Sequence, residues 1–185
     1  KMYTNGKQIF LGPGDDEYTA PAHNRYRAIF GQEGNDTITA HAGPGKDQFH
    51  IYGGKGDDSI NLSFSKVHDF QSSGNPLGIQ HGHHVWGMSG HDTFNFINTH
   101  EVTDFIYGRI EDFDYSRDTI KVEGVVLDLF NLPSNIRIVE FKGENYDDSS
   151  YAQQWLIIET STGGTIVYAL EGARVDMNKG VEEPH

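Results

Sequence analysis

Gly53-Gly54-Lys55-Gly56-Asp57-Asp58-Ser59-Ile60-Asn61 sets three glycines and two acids ahead of an apolar position. Glycine tolerates φ > 0, so this stretch can turn tightly and aim its carbonyls inward. Asp58 closes the turn with a hard carboxylate oxygen. Carboxylate and carbonyl oxygens together suit Ca²⁺. Beyond Asp58 the pattern alternates, with Ile60, Leu62 and Phe64 on one side and Ser59, Asn61 and Ser63 on the other. That alternation predicts a short, half-buried strand after the loop.

The same pattern recurs on both sides. Gly14-Asp15-Asp16-Glu17-Tyr18, Gly34-Asn35-Asp36-Thr37-Ile38, Gly45-Lys46-Asp47-Gln48-Phe49 and Gly90-His91-Asp92-Thr93-Phe94 all read Gly-x-Asp-x-apolar. Further glycines stand just upstream, at Gly12, Gly31, Gly43 and Gly87. Asp36, Asp47 and Asp58 are spaced by eleven residues. Ile38 and Ala40 are expected to face inward against Thr37 and Thr39, and Phe49 and Ile51 against Gln48 and His50. One such segment would read equally well as a hairpin turn in an antiparallel protein. Phased copies point instead to a repeat fold.

The stretch from Gly53 to Asn61 resembles the nonapeptide G-G-x-G-x-D-x-U-x of the RTX (hemolysin-type) calcium-binding repeats. The segments Asp92–Phe96, Ile110–Asp114 and Asp118–Val122 are similar to the part that closes such rolls in secreted proteases and in the R-modules of alginate epimerases. The resemblance covers roughly residues 10–125. It implies an all-β fold, a parallel β-roll in which loops alternate between two edges and Ca²⁺ sits between stacked loops. Leu11, Gln32, Ala42 and Met88 depart from it by standing where the family has Gly, and Lys46 and His91 stand just before the Asp. The spacing of eleven in place of nine implies longer strands and a wider roll. Carried onto this chain, the metal-site residues are Asp16, Gly34, Asp36, Gly45, Asp47, Gly54, Gly56, Asp58, Gly90 and Asp92, with Asp112 reaching a last ion. Asp36 and Asp58 are expected on one edge, and Asp16, Asp47 and Asp92 on the other. That grouping gives about three ions, between Asp36 and Asp58, Asp16 and Asp47, and Asp47 and Asp92. It requires residues 20–30 and 65–85 to leave the roll and return.

Composition agrees with a cation-binding surface. The chain of 185 residues carries 27 Asp and Glu against 14 Lys and Arg, a net charge of −13. Such a surface repels nucleic acid and anionic membranes. Twenty Phe and Tyr and two Trp supply material for a core. The chain has no Cys, which excludes disulfides, Cys-bound zinc and Cys nucleophiles. No apolar run approaches the ~18 residues of a membrane span. No signal peptide is read at Lys1–Thr4, so the expectation is that one was removed, that export uses another signal, or that this is part of a longer chain.

Other constellations are weaker. Asp112, Asp114, Ser116, Asp118 and Glu123 imitate EF-hand spacing, but Arg117 stands where the loop needs Gly. His81, His83 and His84, with His91 behind, could hold Zn²⁺ or Cu²⁺; they read more simply as solvated loop histidines. No G-x-S-x-G elbow or H-E-x-x-H occurs, and Asp147-Asp148 lie in a polar hairpin tip.

After residue 125 glycine thins out. Val125–Leu129, Ile136–Phe141, Trp155–Glu159 and Thr165–Leu170 read as antiparallel strands that cap the roll, with Trp155 in the core of that cap. The predicted organisation is a roll over 1–124, a cap over 125–178 and a tail over 179–185. The function expected is that of a secreted, non-catalytic Ca²⁺-binding module, exported by the type I route the resemblance implies and unfolded without calcium. The alternatives are an auxiliary module of an extracellular epimerase or protease, and a Ca²⁺-dependent adhesin that binds a polysaccharide or cell-surface glycan.

Overall fold

A computed structural model describes residues 1–20, 27–41, 50–64, 79–141, 153–173 and 175–176. The protein is all-β, with parallel and antiparallel strands in two open sheets. Among the described residues the helical content is one 3-10 turn, Thr99–Glu101.

From Gln8 to Val122 the chain changes sheet at every strand. One sheet takes β2 (Gln8–Phe10), β4 (Ala28–Phe30), β6 (His50–Lys55), β8 (Ile79–Ser89) and β10 (Phe105–Phe113), all parallel. The second takes β3 (Glu17–Ala20), β5 (Thr37–His41), β7 (Ser59–Ser63), β9 (Thr93–Ile97) and β11 (Thr119–Val122), again parallel. Each passage through both sheets is one coil, so corresponding residues of successive coils become register partners.

That register stacks like on like. Ile9, Ile29, Ile51, Val85, Ile110 and Leu170 form one inward row. Ile38, Ile60, Phe94 and Ile120 form the facing row, and all of these are buried. The expected inward placement of Ile38, Ala40, Ile51, Ile60, Leu62 and Phe64 holds, because a period of two on a strand puts alternate side chains between the sheets. Phe49 lies outside the described residues. On the outside of the first sheet Tyr3, Phe10, Phe30, Tyr52 and Trp86 stack ring on ring, with centroids 4.5–4.8 Å apart. This matches the distance between neighbouring strands, about 4.8 Å.

Antiparallel strands cover three of the four sheet ends. β1 (Tyr3–Asn5) pairs with β2, and β12 (Val125–Val126) with β11. At the far end of the first sheet, β15 (Thr165–Gly172) adds in parallel to β10, then β14 (Gln153–Glu159) and β13 (Ile136–Phe141) follow antiparallel. The cap expected over 125–178 is thus a continuation of one sheet, joined to it through a parallel pair. The expected strand Val125–Leu129 is only two residues long, since Leu127 turns into the core. Trp155 is half-buried, with its indole N–H donating to Gln153 Oε1 at 3.0 Å.

The excursions are shorter than expected. Ala28–Phe30 and Ile79–Val85 belong to β4 and β8 and carry ladder pairing; residues 21–26 and 65–78 lie outside the described residues, as do the hairpin tip and the tail. In β8, Gly82 and His83 together face the single Gly108, a bulge that admits the ring of Tyr168. A Cβ on Gly82 would stand 2.6 Å from the Tyr168 hydroxyl, which accepts the His83 N–H at 3.1 Å.

Candidate metal centre

Each strand of the second sheet begins just after an aspartate, so the coils bring Asp16, Asp36, Asp58, Asp92 and Asp118 into one column. The Asp16 N–H donates to Asp36 Oδ1 at 2.9 Å, that of Asp36 to Asp58 Oδ1 at 2.9 Å, and that of Asp58 to Asp92 Oδ1 at 2.9 Å. The Asp92 N–H donates to Asp118 Oδ1 at 3.0 Å. These five residues define five layers and four gaps.

The two-edge assignment is therefore corrected. Asp16 stacks directly on Asp36, and Asp92 on Asp58. A full coil is about two of the eleven-residue units, with layer separations of 20, 22, 34 and 26 residues. A coil with added residues still returns to the same edge, because the strands on both sides stay in register. Gly45 and Asp47 lie outside the described residues.

The second carboxylate oxygen is the unusual one. Oδ2 of Asp16, Asp36, Asp58 and Asp92 is buried and has no hydrogen-bond partner. In Asp36, Asp58 and Asp92 it points at the glycine five residues upstream; before Asp16 that position is Leu11. A Cβ on Gly53 would stand 2.6 Å from Asp58 Oδ2 and 2.8 Å from the Gly87 carbonyl oxygen. A Cβ on Gly31 would collide with both Asp36 Oδ2 and the Gly53 carbonyl oxygen, and one on Gly87 with Asp92 Oδ2. Each of the second and third gaps therefore places an unpaired carboxylate oxygen and a carbonyl of the following loop around a space that any side chain would fill.

The loops are shaped by two left-handed residues apiece. Gly14, Gly34, Gly56 and Gly90 hold φ of 101°, 115°, 121° and 109°. The Gly34 carbonyl runs directly against Gly56, and that of Gly56 against Gly90, so no Cβ fits there. Two residues earlier, Gly12 and Gly54 hold φ of 93° and 99°, while Gln32 and Met88 adopt 77° and 69° without being glycine. These two departures from the repeat keep its backbone shape at a cost in strain.

Burial governs the charge of the column. It pushes the carboxyl of Asp36 up to about 6, of Asp58 up to about 7 and of Asp92 up to about 8, with neighbouring aspartates adding to the rise. Burial also raises Asp118. Among the described residues no three His, Asp or Glu side chains gather round one point. The donor set offered is one carboxylate oxygen per layer plus backbone carbonyls, a hard-oxygen set that fits Ca²⁺.

Asp112 lies beside the fourth loop. Its two oxygens accept the N–H groups of Gly87 and Met88 at 2.9 and 2.7 Å, closing the fourth loop. Among the described residues the histidines do not form a metal-holding group. His83 is buried, its Nε2 3.2 Å from the His41 carbonyl oxygen, and burial pushes its imidazole down to about 4. His84 faces outward, with Nδ1 3.3 Å from Glu111 Oε1. The side chain of His81 lies outside the described residues.

Sequence reasoning missed a second, outer column. The Asn35 N–H donates to Asp15 Oδ1, that of Asp57 to Asn35 Oδ1 and that of His91 to Asp57 Oδ1, at 2.8–2.9 Å. Its signal was the residue before each aspartate, which is Asp or Asn in three of the four copies that stack. Asp118 was missed as a layer because no glycine loop precedes it. No family model, curated protein or solved structure matches this chain.

Proposed function

We propose that the protein is a non-catalytic, calcium-binding β-roll of RTX type, which folds as ions enter the gaps between its aspartate layers. The observation that carries this reading is the column of four buried Oδ2 atoms without partners, three of them set against a glycine. Burying an unpaired polar group costs about 1–3 kcal/mol, more when it is charged. A divalent cation would turn that liability into attraction. The alternation of the chain between two parallel sheets supports the roll geometry, since it stacks equivalent loops.

The first three gaps each lie between two glycine loops. The residues that would hold an ion there are Asp16, Asp36 and Asp58, through Oδ2, with backbone carbonyls of loops such as Gly53 and Gly87. At free calcium tenfold above the dissociation constant, each site adds about 1.4 kcal/mol, and three add roughly 4 kcal/mol. That is a large share of the ~5–15 kcal/mol by which domains are stable.

An extracellular location and type I export belong to the same proposal. Extracellular modules bind calcium at ~10⁻⁴–10⁻³ M, far above cytosolic levels, so such a chain stays unfolded inside and folds outside. The test is calorimetric titration with Ca²⁺, paired with far-UV circular dichroism. About three ions should bind as β signal appears, and EDTA should reverse both. A spectrum indifferent to EDTA, with no binding heat, would overthrow the reading.

A further inference from the structure

Four layers carry an orphan Oδ2, which by itself would give four ion sites. We propose that Arg117 is a built-in cation in the fourth gap, so that the column takes three ions and not four. This rests on the calcium reading above.

The fourth gap is built differently. In the second gap the two loops pair through their backbones. The Gly31 N–H donates to the Tyr52 carbonyl at 2.8 Å, and the Lys55 N–H to the Gln32 carbonyl at 2.7 Å. The fifth coil has no glycine loop; Phe113-Asp114-Tyr115-Ser116-Arg117 leads into Asp118. Side chains take over the missing contacts. Asp112 accepts the Gly87 and Met88 N–H groups. Arg117 Nη2 donates to the Met88 carbonyl at 3.1 Å, and Met88 is the counterpart of Gln32. Arg117 Nε is buried, makes no hydrogen bond and stands 3.7 Å from Asp118 Oδ1.

Asp118 also differs from the layers below. Its Oδ1 accepts the Asp92 N–H and its Oδ2 the Asp114 N–H, both at 3.0 Å. In the layers below, only one carboxylate oxygen is used for stacking. The fourth gap thus keeps Asp92 Oδ2 and the Met88 carbonyl as oxygen donors, and already holds a positive charge on that carbonyl. A guanidinium presents N–H donors where a metal would need oxygens.

Native mass spectrometry in calcium decides the matter. The wild-type chain should carry three ions. Arg117→Gln removes the charge and frees the Met88 carbonyl, so it should carry four; Arg117→Lys keeps a cation and should stay at three. Equal counts for the wild type and Arg117→Gln overturn the proposal, as does a wild type with four. If Arg117→Gln does not fold, a calcium-soaked crystal of the wild type answers instead. An ion beside Asp92 Oδ2 refutes the assignment, and ions only beside Asp16, Asp36 and Asp58 support it. A wild type that binds no calcium would fail the parent reading, a result distinct from all of these.

Discussion

Replacing Asp58 with Asn should change the sign of its effect with calcium concentration. The amide oxygen of Asn can keep the stacking bond, since the outer column already uses Asn35 Oδ1 to accept the Asp57 N–H at 2.8 Å. The new Nδ2 takes the place of Oδ2, close to the space shared with the Gly87 carbonyl, and as a donor it can pair there. At pH 8, above the Asp58 value of about 7, the substitution removes a buried charge with no partner. The ion-free protein should gain about 1–3 kcal/mol, the usual penalty for an unsatisfied buried polar group. In calcium a thousandfold above the dissociation constant the third gap loses its carboxylate ligand and with it about 4.1 kcal/mol, which exceeds that gain by about 1–3 kcal/mol. One kcal/mol moves the melting point of a chain this size by about 2–4 °C. Melting temperatures measured across a calcium series should therefore cross. In chelator, with an osmolyte such as sucrose added to populate the ion-free fold, Asp58→Asn should melt about 2–12 °C above wild type, and in a thousandfold excess of calcium about 2–12 °C below it. Its melting point should also climb less steeply with the logarithm of calcium, by one ion's share. A variant that melts below wild type by the same margin throughout would refute the argument, because Asp58 would then be structural and indifferent to metal.

Three further outcomes follow from the same geometry. Asp36, Asp58 and Asp92 hold their protons more tightly folded than unfolded, so their contribution is complete near pH 4 and is lost as pH rises through about 6, 7 and 8. His83, pushed down to about 4, acts the opposite way and destabilises the fold as pH falls below about 6.5. With the ion-free fold populated by an osmolyte in chelator, denaturant melts should therefore show stability highest near pH 4 and falling toward pH 8, since three aspartates outweigh one histidine, and a steady rise from pH 4 to 8 would contradict this. Tyr168→Phe strands the buried His83 N–H and should cost about 1–3 kcal/mol in urea unfolding, with calcium stoichiometry untouched. Met88→Gly should stabilise slightly, by less than about 1 kcal/mol, because relief of a left-handed φ of 69° outweighs the added chain entropy of glycine.

Much of the fold was legible because its two periods are local. The period of two after each aspartate placed Ile38, Ile60 and Phe94 in the core, and the glycines marked where the chain turns. What was not legible depends on how the chain closes each coil. Asp36 and Asp58, one whole coil apart, share an edge as their alternation with Asp47 predicted. The intervals of 20 and 34 residues beside Asp16 and Asp92 also end on that edge, and no local pattern distinguishes a lengthened coil from a half coil. The fifth layer was hidden for a related reason. Asp118-Thr119-Ile120 repeats Asp58-Ser59-Ile60, but its loop is made by Asp112 and Arg117, whose partners lie 24–29 residues away. The bulge at Gly82 and His83 was likewise set by Tyr168, 85 residues beyond His83.

The two oxygens of each inner aspartate divide the work, and this division argues for a metal. Oδ1 fixes the register of the next coil through a hydrogen bond that an amide could make equally well, as Asn35 does one position away. If stacking were the whole requirement, Asn would serve in the inner column and avoid placing charge in a buried site. The outer column, which is exposed, tolerates Asp, Asn and His. The inner column is Asp in all five layers, where burial makes that charge most costly. Only in the fifth layer are both oxygens hydrogen-bonded, and there the chain supplies its own cation. In the four layers below, the oxygen left over has no hydrogen-bond partner, and a divalent cation in the proposed sites would offset its cost.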